Sequence, residues 1–188
     1  MKIDKKKYVV HPITKHTASV MISKYHYSKT FPKVAVYCFG LFNKDKDFFE
    51  RDCLGVCWFL PPTKVVAQSV FDDWKKVLTL SRMVIVPNAP KNSASFLLSK
   101  CLKMINKDKW KCIVTYADEF QNHTGVIYKA SNFEYIGLTK PSPIWINQRG
   151  EINGKKRGNK NLSTNDMINL GYKKISNSSK HKFRYILK

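Results

Sequence analysis

The sequence is poor in acidic residues, in long apolar runs and in cysteines with metal-binding spacing. Acidic side chains number 13 against 34 Lys and Arg, which gives a formal net charge of +21. Such an excess is larger than solubility alone requires, and it predicts a polyanionic partner. A general compositional bias towards lysine is the alternative source for part of it.

No apolar run approaches the length of a bilayer-spanning helix, and the first ten residues lack the apolar centre of a signal peptide. We therefore expect a cytoplasmic protein that does not associate with membranes. The positive charge is spread along the chain, with dense clusters at residues 2–7 and 155–160. This distribution favours a basic face on a folded body, and it predicts binding to double-stranded DNA through its phosphates.

The five cysteines indicate neither a disulfide framework nor a zinc site. Their number is odd, and no two of them have zinc-finger spacing. Most lie in apolar runs, so we expect them to be reduced core residues.

Strand-like and helix-like runs alternate along the chain. Its 188 residues predict a single domain, 1–188, with a basic C-terminal extension over about 141–188. Strands are predicted at residues 8–13, 34–43, 54–62, 77–86, 112–118 and 133–139, and helices at 16–29, 64–74, 97–105 and 123–131. This order predicts an α/β (α+β) fold, in which a twisted mixed β-sheet carries helices on both faces.

The C-terminal extension is polar and basic after Pro141 and Pro143. It contains a predicted small helix at residues 164–170 and a predicted final strand at 182–188. Two interpretations remain open from the residues alone. The extension is either an appendage that touches DNA or a solvated connection leading to an edge strand.

The run YADEFQNHTGVIYKASNF, at the end of a predicted strand, is the strongest candidate for a site. Tyr116 and Asp118 lie two residues apart and so share one side of the strand, and Tyr128 on the following helix can return towards them. Asp118 could orient or deprotonate an amine, with Tyr128 as a proton donor. Helix capping or turn formation is the structural alternative for Asp118 and for His123.

A second candidate is the aromatic run Tyr25-His26-Tyr27, which follows a predicted helix. Exposed aromatic rings beside a histidine suit stacking on an extruded base, with His26 transferring protons or binding a metal. Packing at the helix end is the alternative function of these side chains.

A third candidate is the turn at residues 88–95, which follows a strand and opens a helix. Free amides at a helix N-terminus can hold a pyrophosphate, so a CoA-type donor would fit at this turn. Asn92, Ser93 and Ser95 are predicted to bind it, together with Arg82 on the preceding strand. The turn lacks the glycine-rich pattern of most acyl-CoA acetyltransferases. The alternatives are an ordinary N-cap at Ser93 and a carboxylate partner for Arg82.

Three segments, taken in order, resemble the Mom family of phage DNA-modification proteins, which are distant relatives of the GNAT acyltransferases. They are YHYSK, LSRMVIVPNAPKNSASFLLSK and YADEFQNHTGVIYKASNFEYIG, and the resemblance covers roughly residues 14–138. It implies a GNAT-like fold and conversion of the adenine N6 amine in phage DNA to its carbamoylmethyl form. That modification would protect the DNA from host restriction in the cytoplasm.

The family pattern also implies roles for individual residues. It places His26, Tyr27, Asp118 and Tyr128 in the active site and adds Arg82 and Ser95. Physically, an adenine amine is a weak nucleophile that needs a nearby base, so His26 and Asp118 are the candidate pair. Tyr27 would position the adenine ring. Tyr128 would donate a hydrogen bond to the group donor or protonate its leaving group.

An acyl-CoA-type donor, with acetyl-CoA as one candidate, and an associated iron are further implications of the resemblance. The sequence offers no readable ligand set for the iron. Contacts of Lys155, Lys156 and Arg157 with DNA are predicted from charge alone.

Two other functions fit the residues. One is an acyl-CoA-dependent N-acetyltransferase acting on a small amine or a protein lysine, which the net charge of +21 favours poorly. The other is a noncatalytic DNA-binding protein that uses the same fold.

Overall fold

The structure is a computed structural model that describes residues 2–45, 52–150, 152–153, 156–157 and 160–188. A seven-stranded mixed sheet forms its centre. In spatial order its strands are β1 (Tyr8–Pro12), β2 (Tyr37–Asn43), β3 (Gly55–Leu60), β4 (Val77–Ile85), β5 (Cys112–Asp118), β12 (Lys180–Ile186) and β6 (Glu134–Leu138). The predicted hairpin of β2 and β3 is confirmed, since these strands pair antiparallel.

Helices cover both faces of this sheet, as the sequence predicts. They are α1 (Lys15–Tyr25), α2 (Lys64–Gln68), α3 (Ser93–Met104) and α4 (Val126–Ala130). A further helix, α5 (Thr164–Asn169), belongs to the segment between β6 and β12. Alternate residues of β3 point to opposite faces, so Cys57 and Phe59 pack in the cluster that contains α3, whereas Trp58 packs against α1. The helix α2 packs with a third cluster that includes Cys112 and Val114 of β5.

The first helix ends earlier than predicted. Thr14 caps its start by accepting the Thr17 amide, and the buried residues Ala18 and Ile22, four apart, face the sheet. The helix stops at Tyr25 because His26 adopts an extended backbone conformation. The prediction that it continues to residue 29 is therefore wrong, and the next residues are free to form a loop.

Two further helix boundaries differ from prediction. The helix predicted at residues 64–74 ends at Gln68, and a 3-10 turn follows at Trp74–Lys76. The helix predicted at 123–131 is reduced to α4, because Asn122 and Gly125 both take left-handed backbone conformations. Between β5 and α4 the chain instead forms a 3-10 turn at Glu119–Gln121 and an open loop.

The central strands β4 and β5 are parallel but pair over a short length. The register joins Val77 to Cys112 and ends with Thr79 opposite Val114. Beyond that point β4 runs on to Ile85 and β5 to Asp118 without a strand pairing between them in the described residues. The sheet therefore opens in its middle, at the carboxyl ends of these strands.

The final strand is not at the edge. The strand β12 lies between β5 and β6 and pairs antiparallel with both, with Lys180 opposite Asp118. Of the two open interpretations of the extension, the one that ends in an edge strand is therefore not what the structure shows. The edges of the central sheet are β1 and β6.

A second, smaller layer of strands lies between β6 and β12 in the chain, and the sequence did not predict these strands. Its strands β7 (Ser142–Ile146), β8 (Ile152–Asn153) and β11 (Lys173–Ser178) form a sheet of order β11-β7-β8. The short strands β9 (Lys156–Arg157) and β10 (Lys160–Asn161) pair with each other. Buried Trp145 and Met167 give this part of the chain apolar contacts of its own.

Candidate active site

A cavity of about 550 Å³ occupies the opening between β4 and β5. The strand β4 lines it with residues 80–81 and 83–85, β5 with 116–118, the end of α1 with 25–27, and the loop and helix after β5 with 122–128. His26, Tyr27, Asp118 and Tyr128 all line this one cavity. The structure thus brings together the four side chains that the sequence analysis assigned to the active site.

Asp118 is held by contacts to both of its carboxylate oxygens. Its Oδ1 accepts the Phe120 amide at 3.2 Å, which fixes the 3-10 turn after β5. Its Oδ2 accepts the Tyr27 hydroxyl at 3.4 Å and lies 3.2 Å from the Lys180 ammonium. The predicted alternative of turn formation is therefore seen for Asp118, which also lines the cavity, and its action on an amine stays a prediction.

Tyr27 is the aromatic residue that joins the two halves of the cavity. Its ring stacks on His26 with centroids 4.3 Å apart and meets His123 edge-on at 5.9 Å. Burial raises the pKa of Tyr27 to about 12, and the neighbouring Asp118 carboxylate adds to the effect. Tyr27 is therefore protonated at neutral pH and donates its hydrogen to Asp118.

His26 is 9% exposed and is held in one tautomer by its own backbone turn. The Ser28 amide donates to His26 Nδ1 at 3.1 Å, so this nitrogen is an acceptor and the neutral ring carries its proton on Nε2. The pKa of His26 is lowered to about 4, chiefly by burial and in addition by the positive charge of Arg82. At neutral pH His26 is thus an uncharged hydrogen-bond donor, and its Nδ1 lone pair is already occupied.

Arg82 acts on the site indirectly. Its Nε donates to the Thr30 carbonyl at 2.9 Å and its guanidinium also reaches the Ser81 carbonyl at 2.8 Å, so it holds the loop that follows Tyr27. Burial lowers the pKa of Arg82. Among the described residues no carboxylate forms an ion pair with it, so the alternative of a carboxylate partner is not seen, and anion binding by Arg82 stays a prediction.

Tyr128 lines the cavity and packs against other aromatic side chains. Its ring lies against Phe133 and Phe183, at centroid distances of 5.7 and 5.3 Å. Burial raises the pKa of Tyr128, and a hydrogen bond with Thr115 opposes this effect. The Tyr128 hydroxyl is therefore protonated at neutral pH.

The turn before α3 contributes backbone rather than side chains. The Ser93 hydroxyl donates to the Pro90 carbonyl at 2.7 Å and the Ser95 hydroxyl to the Asn92 carbonyl at 3.1 Å. Asn92, not Ser93, is the N-cap residue, with a left-handed backbone and no side-chain cap. Of this turn only Ala94 lines the cavity, while Ser95 faces a separate depression.

Two side chains of the site were missed or undervalued in the sequence. Lys180 was not considered, because its contact with Asp118 depends on the pairing of β12 with β5, which is remote in sequence. His123 was considered only as a capping residue, yet it lines the cavity and contacts Tyr27. The aromatic run around Tyr27 was the one local signal that could have indicated a stacking partner.

The remaining predicted residues stay predictions. Lys155 lies outside the described residues, and Lys156 and Arg157 form β9, whose side chains are not described. Across the described ranges no three His, Cys, Asp or Glu side chains gather to hold a metal ion. The described residues therefore do not fit an iron site.

No helix in the described part of the chain is both long and apolar enough to cross a membrane.

Comparison with known proteins gives a family and a fold. The sequence model of the Mom protein family matches residues 7–188. Methylcarbamoylase mom of Escherichia phage Mu is 31% identical over 127 residues, which are 64% of this chain and 49% of that protein. The match thus spans about half the length of this curated relative.

The fold is that of the GNAT acetyltransferases. NAA60 from Arabidopsis thaliana, solved in complex with acetyl-CoA, has a TM-score of 0.61 at 9% identity, with 96% of this chain and 98% of that chain covered. Spermidine N-acetyltransferase from Vibrio cholerae, in complex with CoA and spermine, has a TM-score of 0.54 at 9% identity, with 97% of each chain covered. At these identities the similarity shows the fold alone.

Proposed function

Because the chain belongs to the Mom family and has the GNAT fold, we propose that it is a transferase that modifies the N6 amine of adenine in double-stranded DNA to the carbamoylmethyl form. One observation carries the proposal: Asp118, Tyr27 and His26 meet in a single cavity of about 550 Å³. Protection of phage DNA from restriction would follow from the modification.

The size and lining of the cavity support a nucleobase as the substrate that receives the transferred group. An adenine inside a duplex cannot present its amine to an enclosed site, so the nucleotide must first be extruded. Extruded bases are held by aromatic stacking and by hydrogen bonds to their edges. Tyr27 and His123 offer rings at the cavity wall, and Asp118 offers an acceptor beside them.

The electrostatics of the site suggest a division of labour. Asp118 Oδ2 accepts a hydrogen bond from the adenine amine and so orients it. The same oxygen receives the proton of the amine as the new bond forms. His26 acts as a donor through Nε2–H rather than as the second base, because its Nδ1 already accepts the Ser28 amide. Tyr27 keeps Asp118 in place and stacks with the incoming ring.

The opening between β4 and β5 also fits an extended acyl-CoA-type donor. The β4 backbone beyond Thr79 has no strand partner on the β5 side in the described residues. The Leu80 and Ser81 carbonyls already accept hydrogen bonds from the Thr115 and Arg82 side chains, so the groups that would pair with an amide-containing chain lie beyond them. The amides of Ala94 and Ser95 at the start of α3 have no partner in the described chain and suit a phosphate. Transfer would form a bond from N6 to the methylene carbon of the carbamoylmethyl group and break the bond from that carbon to the donor's leaving group, to which Tyr128 would donate a hydrogen bond.

The proposal is tested by mass spectrometry of nucleosides from the DNA of cells that express the chain. The wild type should yield a modified deoxyadenosine of carbamoylmethyl mass. Asp118→Asn keeps the shape of the side chain but removes its charge, and Tyr27→Phe removes only the hydroxyl, so both should lower the modified fraction, Asp118→Asn by about 100-fold or more. Asp108→Asn, at an exposed position remote from the cavity, is the matched control and should match the wild type.

Each competing function predicts a different result. Unmodified adenine together with acetylated protein or small amine would favour an ordinary N-acetyltransferase. If DNA is bound but Asp118→Asn changes no cellular effect, the chain is a noncatalytic DNA-binding protein. Either outcome contradicts the proposal.

A further inference from the structure

The antiparallel pair of β6 and β12 continues beyond the central sheet. The Thr139 amide donates to the Lys180 carbonyl at 2.9 Å, and the Lys180 amide donates to Thr139 Oγ1 at 2.9 Å. A few residues further on, Ser142 pairs with Ser178. The pairing of β6 with β12 thus leads directly into that of β7 with β11, and we call the described residues from 142 to 178 the arm.

The arm has structure of its own. Trp145 and Met167 are 1% and 0% exposed. Its helix α5 begins with a capping box, in which the Ser163 hydroxyl accepts the Asp166 amide and the Asp166 carboxylate accepts the Ser163 amide. The arm is therefore a folded extension that can hold its surface side chains in fixed positions.

The arm is basic and its outer strand is open. Residues 142–178 contain seven Lys and Arg but only two acidic residues, which gives 7 − 2 = +5. One of the two acidic side chains, Asp166, is engaged in the capping box. The strand β11 lies at the edge of its small sheet, and its residues 173–177 are exposed on both faces.

We propose that the arm docks DNA by laying the exposed edge strand β11 against the phosphates of the duplex beside the cavity; this inference rests on the proposed function. Adjacent strand residues point to opposite faces, so Lys173 and Lys174 present positive charge on both faces of β11. Lysine side chains bind DNA through its phosphates, and a duplex is the polyanion that the proposed function supplies.

The strands of the arm join the central sheet beside Asp118, so DNA held by the arm would lie close to the proposed site of reaction. Its strands enter the central sheet at Lys180, which pairs with Asp118 in the register of β12 and β5 and contacts its carboxylate at 3.2 Å. The strand pairing fixes the position of the arm relative to the cavity, and with it the position of a duplex that the arm holds. Phosphate contacts at the arm would fix which nucleotide lies over Asp118, although they read no sequence themselves.

The inference is tested by the affinity of the full chain for a fluorescein-labelled random-sequence duplex of 24 base pairs, measured by anisotropy at several salt concentrations. Lys173→Ala with Lys174→Ala removes two charges from β11. Lys103→Ala with Lys107→Ala removes two exposed charges that precede the start of β5, at the end of that strand opposite to Asp118, and leaves the same net charge. Circular dichroism of both variants checks that they are folded.

If the arm docks DNA, the β11 variant loses two phosphate contacts. The slope of log K against log salt then becomes shallower by about 1.8, at about 0.9 for each contact, and affinity near 0.1 M salt falls by roughly one to two orders of magnitude. The control should stay within about twofold of the wild type. Equal losses in the two variants, or wild-type affinity in the β11 variant, would overturn the inference.

This result is separate from that of the nucleoside measurement. A wild type that binds and modifies DNA, with a β11 variant that binds equally well, refutes the arm alone. A wild type that binds DNA through β11 but leaves adenine unmodified supports the arm and refutes the proposed transferase activity.

Discussion

Replacing His26 with Asn should change how the stability of the protein depends on pH. His26 has a pKa of about 4 in the folded chain against 6.5 for an ordinary histidine, because burial and nearby positive charge disfavour the imidazolium. Between these two values the unfolded chain binds a proton that the folded chain does not bind. Stability therefore rises with pH across this window and is lost as pH falls through it.

The size of the effect follows from the two pKa values. Each pH unit within the window changes the free energy of unfolding by about 1.4 kcal/mol, and from pH 5 to pH 7 the change attributable to His26 is about 2 kcal/mol. Above the unfolded value both states are neutral, so the contribution levels off. His26→Asn removes the titrating group and with it this part of the pH dependence.

The assay is urea denaturation of wild type and variant at pH 5 and pH 7. The stability of the wild type relative to His26→Asn should increase by about 2 kcal/mol from the lower to the higher pH. His16→Asn, at an exposed position, serves as the control. Parallel pH dependences of wild type and His26→Asn would refute the argument that His26 is neutral, and ring-nitrogen NMR spectra without a proton on Nε2 would refute the tautomer.

Two further predictions concern backbone and caps. Gly125 and Gly150 share a φ of +75°, but a Cβ at Gly125 would collide with the Phe183 ring whereas none of the described atoms lies within 4 Å at Gly150. Thermal denaturation should thus show Gly150→Ala costing about 1 kcal/mol and Gly125→Ala at least about 2 kcal/mol more, and equal costs would contradict the packing argument. Ser163→Ala should weaken α5 by about 1 kcal/mol, seen as faster amide exchange confined to the arm, and unchanged exchange there would contradict the capping role.

Much of the fold could be predicted because its signals are local. The strands around the cavity are apolar runs bounded by turn residues, and β5 has the predicted bounds, Cys112–Asp118. The position of β12 could not be predicted in this way. A strand buried in a sheet normally reads as an apolar run, but β12 alternates charged residues with others.

The structure shows why β12 tolerates those charges at an internal position. Lys182 donates to the Ser69 hydroxyl at 2.5 Å. Arg184 forms a bidentate ion pair with Glu134, in which Nε lies 2.7 Å from Oε2. Long side chains bury their stems along the sheet while their charged ends reach partners at its surface. Charge in the sequence indicates an edge only when such partners are missing, and these partners lie far away along the chain.

The same distinction applies to the site. Asp118 and Tyr27 belong to motifs that a sequence displays, so their importance was predictable. The protonation of His26 was not, because it depends on the Ser28 amide, a backbone group whose direction is set by the end of α1. Residue types predict which chemistry is available, whereas hydrogen-bond geometry decides which nitrogen carries the proton.

The excess of positive charge also has an effect inside the protein. Arg82 and Lys180 both lower the pKa of His26, so the basic surroundings help to keep this buried ring neutral. Lys180 at the same time lies against the Asp118 carboxylate, which balances a negative group that would otherwise favour the imidazolium. Basic residues that suit a polyanionic substrate therefore also maintain a neutral donor beside a carboxylate acceptor. Substitutions that reduce charge at Lys180 should consequently raise the pKa of His26 as well as weaken DNA binding, whereas the same loss of charge at β11 should weaken binding alone.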